Sequence, residues 1–173
     1  MRGRYTALAA ISVIALALPA PQTAEAADTI VTFTVTGGAM NISAPAGPVN
    51  VGSGPPGTNF GAGMGTVTVS DLRGNDPSSW TATVTASAFT AALTGVPAIP
   101  ASAMTYTPGG AATNGNGTLV AGATGTLANS RVAYSYSGGT GSSTTTWSPD
   151  LHVDVPATAT ATNYTGEVTH SVA

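Results

Sequence analysis

The sequence contains no cysteine, no lysine and little charge of either sign. Without cysteine the chain has no disulfide, so the core alone must stabilise the fold. This absence is unusual for small exported animal domains and suggests a bacterial protein. Arginine occurs only at positions 2, 4, 73 and 131, so no basic patch can neutralise a row of phosphates. We therefore expect neither nucleic acid nor an anionic membrane surface as a partner.

Residues 1–26 have the pattern of a secretory signal peptide. Arg2 and Arg4 precede an apolar run, residues 7–20, that is too short to span a bilayer. Ala24 and Ala26 then provide the small residues at positions −3 and −1 of a cleavage site. The prediction is an exported, extracellular protein that starts near Ala27 and has no membrane insertion after cleavage. A retained N-terminal anchor is the alternative interpretation. Residues 27–173 hold two arginines and six acids, a net charge of −4, and are long enough for one domain with one core.

Helix-forming patterns are nearly absent, whereas alternation of apolar and polar residues with period two recurs along the chain. The alternating segments are TIVTFTVT (29–36), GTVTVS (65–70), WTATVTAS (80–87), RVAYSYS (131–137), LHVDVP (151–156) and YTGEVTHSV (164–172). Clusters of Gly, Pro and Asn between them are typical of turns. One apolar face per strand is typical of an antiparallel sheet with one wetted side. The sequence therefore predicts an all-β, antiparallel β-sandwich that begins at about Ile30.

Charged and aromatic residues gather just before one predicted strand, between Ser70 and Ser87. Asp71 and Arg73 are two residues apart, so on an extended chain they share a face and can pair. One interpretation is a surface ion pair that steadies a hairpin. The other is an arginine whose planar fork reaches backbone carbonyls or a ligand carboxylate. A calcium loop would need regularly spaced oxygen ligands, and the acids here are irregularly spaced, so we expect no metal site.

Two aromatic residues on apolar strand faces are candidate binding residues. Trp80 shares a face with Ala82 and Val84, which favours a core tryptophan, although an indole beside a loop could stack on a sugar ring. His170 stands between Val168 and Val172, which favours a hydrogen-bonded packing residue over a ligand-binding one.

Three segments together resemble the WxL domain, a cell-surface domain of Gram-positive bacteria. TVSDLRGNDPSSWTATVTASAF (68–89) resembles its first block, which runs from a strand through Asp-x-Arg and a short loop to Trp-x-Leu. IPASAMTYTPG (99–109) resembles the middle of the domain. DLHVDVPATATATNYTGEVTHSVA (150–173) resembles the C-terminal block, in which a tyrosine, here Tyr164, precedes the second Trp-x-Leu.

The resemblance implies a β-sandwich that attaches non-covalently to peptidoglycan through its two Trp-x-Leu motifs. The first motif is Trp80-Thr81-Ala82, with alanine in place of leucine. The second is His170-Ser171-Val172, with histidine in place of tryptophan and valine in place of leucine. The resemblance also implies that the two motifs lie close together in space. An indole and an imidazole on adjacent strands can pack on each other.

No pattern of catalytic or cofactor-binding residues stands out. The chain has no Gly-x-Ser-x-Gly elbow and no phosphate loop, and its two histidines face opposite sides of their strands. Asp150 and Asp154 lie on the polar face of one strand, whereas a pair for sugar hydrolysis must flank a cleft. We expect a non-catalytic, cell-wall-associated protein without a cofactor, bound to peptidoglycan or to an envelope surface protein. The alternative is a pilus-like or coat subunit that forms oligomers by strand addition, since few charges guard its edges.

Overall fold

The computed structural model describes residues 28–173; the predicted signal peptide and its cleavage site lie outside them and stay predictions. The chain divides into two units, Met1–Thr34 and Val35–Ala173. In the first unit the described residues, 28–34, are exposed and form no strand. All of the strands described below belong to the second unit.

The second unit consists of fourteen short strands and one 3-10 helix, Ala101–Ala103. The strands are β1 (Met40–Ser43), β2 (Asn59–Gly63), β3 (Val67–Asp71), β4 (Ser78–Ala86), β5 (Thr90–Ala91), β6 (Met104–Thr107), β7 (Ala111–Thr113), β8 (Thr118–Ala121), β9 (Gly125–Thr126), β10 (Arg131–Gly139), β11 (Ser143–Trp147), β12 (Asp150–Asp154), β13 (Tyr164–Thr165) and β14 (Val168–Val172). Within residues 28–173 no helix has the length and apolar character needed to cross a membrane.

The strands form two layers. Two of the four-stranded sheets have the strand orders β1-β3-β11-β7 and β2-β12-β6-β9. The chain passes from one of these sheets to the other through breaks of two or three residues, so together they make one bent layer. The sheet β14-β4-β10-β8 makes the facing layer, which the pair β13-β5 extends. Trp147 of the bent layer packs on Tyr134 of the facing layer, with ring centroids 5.3 Å apart. All strand pairs are antiparallel, so the predicted antiparallel β-sandwich is confirmed.

Proline and glycine residues form the bend in the bent layer. The N–H of Met64 donates to the carbonyl of Pro149 at 2.8 Å, across the break between two strand pairs. Gly109 has a φ of 74°, and a Cβ there would overlap the carbonyl oxygen of Ser148. Only glycine fits such a position, where a left-handed backbone meets a close neighbour. The hydroxyl of Tyr134 donates to the carbonyl of Gly109, which fixes the bend against the facing layer.

Three of the predicted strands have the predicted faces. β3, β4 and β12 each alternate between buried and more exposed residues, because each strand packs one side on the opposite layer. Their buried apolar residues are Val67, Val69, Trp80, Ala82, Val84, Leu151 and Val153. His152 and Asp154 lie on the exposed side of β12, as predicted.

Three local predictions were wrong. Residues 29–36 form no strand, and the first strand begins at Met40 rather than near Ile30. In β10 the register shifts between Val132 and Tyr134, so a bulge turns Val132 outward and buries Ala133 beside Tyr134. The predicted final strand is interrupted around Gly166, which separates β13 from β14.

Candidate functional site

The two motif positions lie on neighbouring strands of the facing layer. β14 pairs with β4 so that Val172 is opposite Ala82 and His170 is opposite Val84. The backbone of Thr81, the middle residue of the first motif, exchanges two hydrogen bonds with Ala173. The predicted proximity of the two motif positions is therefore confirmed.

Trp80 does not pack on His170, so that prediction was wrong. The indole of Trp80 is 3% exposed and stacks on Tyr136, with ring centroids 5.6 Å apart and planes 17° apart. Its Nε1 has no hydrogen-bond partner. Antiparallel pairing places residue 80 beyond the end of β14, so its ring meets β10 on the other side of β4 instead. A buried indole in this position offers no face to a sugar ring outside the domain.

His170 contacts two aromatic residues of the bent layer. Its ring lies 5.6 Å from Tyr106 and 6.3 Å from Trp147, measured between ring centroids. Tyr106 Oη accepts a hydrogen bond from Trp147 Nε1 at 3.1 Å and lies 3.0 Å from His170 Nε2. Trp147 belongs to β11, Tyr106 to β6 and His170 to β14, so one hydroxyl joins all three four-stranded sheets.

Tyr106 and His170 share a hydrogen bond whose direction depends on the imidazole tautomer. Tyr106 has a single hydroxyl proton, and because its oxygen accepts from Trp147, that proton is available to His170 Nε2. The other ring nitrogen, Nδ1, is buried and has no hydrogen-bond partner among the described residues. Burial lowers the pKa of His170 and raises the pKa of Tyr106 to about 12. Both groups are therefore held neutral between the layers.

Asp71 and Arg73 form an ion pair in which the Asp71 carboxylate is buried. Arg73 donates from Nε to Asp71 Oδ1 at 2.8 Å and from Nη2 to Oδ2 at 2.9 Å. The same Nη2 also donates to the carbonyl of Ser79 at 2.8 Å. The predicted ion pair is therefore present, but Asp71 is 0% exposed, so its position at the surface was wrong. The predicted reach of Arg73 to a backbone carbonyl is also present.

The Asp71 carboxylate has further donors around it. It accepts a hydrogen bond from the Ser78 hydroxyl at 2.8 Å and one from the backbone N–H of Arg73 at 3.1 Å. The hydrogen bonds from the Arg73 side chain hold the pKa of Asp71 well below its usual range, and the same contact raises the pKa of Arg73. The group fastens the turn between β3 and β4. In residues 28–173 no cluster of three or more His, Cys, Asp or Glu is placed to hold a metal ion.

Tyr164, the remaining candidate, lies on β13 in the two-stranded extension of the facing layer. Its hydroxyl donates to the carbonyl of Thr160 at 3.1 Å. Its ring helps to line a cavity of about 540 Å³ between the two layers. A second cavity of about 390 Å³ shares Val49, Val51 and Phe89 with the first and extends to His170. We call these two adjoining cavities the interlayer groove.

Neither Trp147 nor Tyr106 was among the site residues predicted from the sequence. Trp147 ends the strand STTTW, whose inward residues before it are Ser143 and Thr145, so the strand shows no apolar alternation. Tyr106 alternates with Met104 in MTYT, a signal that the sequence did contain. The interlayer groove lies beside an irregular loop, residues 44–58, for which the sequence predicts only turns.

Arg73→Ala should destabilise the domain by roughly 3 kcal/mol, because it leaves a buried carboxylate with two of its four donors. Arg131→Ala is the matched control: Arg131 donates to the carbonyls of Ala123 and Thr124 and has no carboxylate partner. Urea unfolding measures both free energies. Equal costs for the two variants would contradict a structural role for the Asp71–Arg73 pair.

The free energy of unfolding should fall as the pH drops from 8 to 5. The pKa of His170 is lowered in the folded state, so the unfolded chain binds more protons once the pH falls below about 6.5. Glutamine at position 170 cannot titrate in this range, so His170→Gln should flatten the dependence. His152→Gln, on the exposed face of β12, should leave it unchanged. An unaltered slope in His170→Gln would disprove the assignment.

Comparison with known proteins returns no match: no family model, curated protein or solved structure matches this chain. The resemblance to the WxL domain therefore rests on the sequence segments 68–89, 99–109 and 150–173. What the protein does has to be inferred from the contacts and exposures of its own residues.

Proposed function

We propose that this chain is a secreted, non-catalytic cell-surface protein that associates non-covalently with the cell envelope, through peptidoglycan or a partner surface protein. The proposal combines the predicted signal peptide and the WxL resemblance with one structural observation. The side chains that sequence analysis singled out for chemistry are occupied inside the domain. Asp71 and Arg73 bind each other, and His170 binds Tyr106.

The surface that remains carries few charges. Most of its polar side chains are threonine, serine and asparagine, and its exposed acids in residues 28–173 are Asp28, Asp76, Asp150, Asp154 and Glu167. With so few charges, attachment would depend on hydrogen bonds and apolar contacts. Salt screens such contacts far less than it screens ion pairs.

The buried position of Trp80 moves the proposed contact away from the first motif. Because Trp80 and Ala82 are core residues, an envelope ligand would meet exposed strand edges or the interlayer groove instead. Tyr164 and Val51 line that groove, and Tyr164 keeps its hydroxyl at an exposed position.

A retention assay with isolated cell walls tests the proposal. The mature protein should bind Gram-positive walls as a monomer and stay bound in high salt. Walls digested with a muramidase are the control, and walls stripped of protein separate a glycan ligand from a protein ligand. Absence of retention on intact walls would contradict envelope association.

A second candidate function, a self-assembling structural subunit, is favoured by one specific observation. The segment 29–36 exposes Ile30, Val31, Phe33 and Val35, all of them more than four-fifths accessible. Isolated exposed apolar residues are common, but a run of this kind marks an interaction site. Self-assembly predicts oligomers whose size grows with protein concentration, whereas envelope attachment alone predicts a monomer.

A further inference from the structure

The segment 29–36 has the sequence of a β-strand but forms no strand among the described residues, 28–173. Its eight residues, TIVTFTVT, contain no charge, glycine or proline, and they alternate apolar residues with threonine. Val31, Phe33 and Val35 would share one face of a strand, yet Phe33 is 87% exposed. Threonine, valine and phenylalanine favour pleated, half-buried surfaces. Such a segment is completed by pairing with the edge of another sheet.

The interlayer groove presents apolar side chains among polar ones, as the two faces of the segment do. Phe60 and Val153 line it from the bent layer, and Phe89 and Ile99, which pair with each other in an isolated bridge, line it as well. The loop 44–58 lies along it and forms no strand. Among residues 28–173, β2 is the terminal strand of its sheet and pairs with β12 alone, so its other edge has no strand beside it there.

The chain enters the sandwich at the far end of β1 from the groove. The N–H of Gly38 donates to the carbonyl of Leu72, next to the Asp71 end of β3. The groove begins beyond the other end of β1, where Ala44 lines it. Six residues of extended chain separate Gly38 from Ala44, about 20 Å.

This separation favours a second molecule as the source of the strand. An extended segment of eight residues spans about 26 Å, so a return along β1 would use most of its length before it reached the groove. A segment from another copy needs no such reversal. Cleavage near Ala27, which stays an expectation, would place the segment close to the free N-terminus of the mature protein.

We infer that residues 29–36 of one molecule insert as a strand into the interlayer groove of a second copy, beside β2, with Val31, Phe33 and Val35 facing inward. This inference rests on the self-assembly candidate and specifies its contact. Main-chain hydrogen bonds to the edge supply affinity, and the alternate side chains supply register. Donor and acceptor are different surfaces, so the contact is heterologous and repeats head to tail as a ring or a filament.

Cysteine cross-linking tests the contact against a background free of natural cysteine. Phe33→Cys and Val51→Cys are made as separate full-length variants, one of them carrying a mass tag, and are mixed under oxidising conditions. A disulfide-linked heterodimer should form. Thr32→Cys mixed with Val51→Cys is the matched control and should give several times less, because residue 32 would face away from the groove.

Two results would overturn the inference. One is an equal yield from the Phe33 and Thr32 mixtures. The other is a double variant, Phe33→Cys with Val51→Cys, that closes on itself in dilute solution, which would show that the segment fills the groove of its own chain.

Size-exclusion chromatography distinguishes failure of the segment-insertion inference from failure of the self-assembly proposal. Phe33→Asp should abolish concentration-dependent oligomers, and Thr32→Asp should retain them. A wild-type protein that stays monomeric at every concentration refutes self-assembly itself. Oligomers that persist in Phe33→Asp would keep self-assembly and refute the segment as the donor.

Discussion

The hydroxyl of Tyr106 is the interaction on which the sandwich depends most. It is wholly buried, and it connects Trp147 and His170, so a single oxygen touches all three four-stranded sheets. A short-stranded domain with threonine on most outward faces buries little apolar area per strand, so its aromatic residues carry much of the stabilisation. The Tyr106 hydroxyl gives Trp147 Nε1 and His170 Nε2 a hydrogen-bond partner inside the core, which removes the cost of leaving those two atoms unpaired.

The packing of this core determines which surfaces of the domain remain open to a partner. The motif residues Trp80 and His170 pack between the layers, and the Asp71–Arg73 pair fastens a turn. What stays accessible is the interlayer groove and the unpaired segment 29–36. Envelope attachment and assembly with further copies, the two functions we propose, would therefore draw on this groove and this segment rather than on Trp80.

The sequence predicted the sandwich and most of its core because alternation is clear where one strand face meets solvent. That pattern predicted β3, β4 and β12. It did not predict the strand that ends at Trp147, because the other inward residues of that strand are serine and threonine. The segment 29–36 has a clear strand pattern, but the strand prediction there was wrong. A strand also needs a neighbouring strand to pair with, and the local pattern does not show whether one is present. The interlayer groove depends on how two layers diverge beside an irregular loop, which no local periodicity encodes. The pairing of Asp71 with Arg73 was predicted, and the burial of that pair was not.

The most direct measurement of the central claim is the unfolding free energy of Tyr106→Phe. Removing this hydroxyl leaves Trp147 Nε1 and His170 Nε2 unpaired in the core, which should cost about 2–4 kcal/mol. Tyr134→Phe, which frees only the carbonyl of Gly109, should cost less, and Tyr164→Phe, whose hydroxyl lies at an exposed position, should cost under about 1 kcal/mol. If Tyr106→Phe cost no more than Tyr164→Phe, the shared hydroxyl would not be what holds the three sheets together.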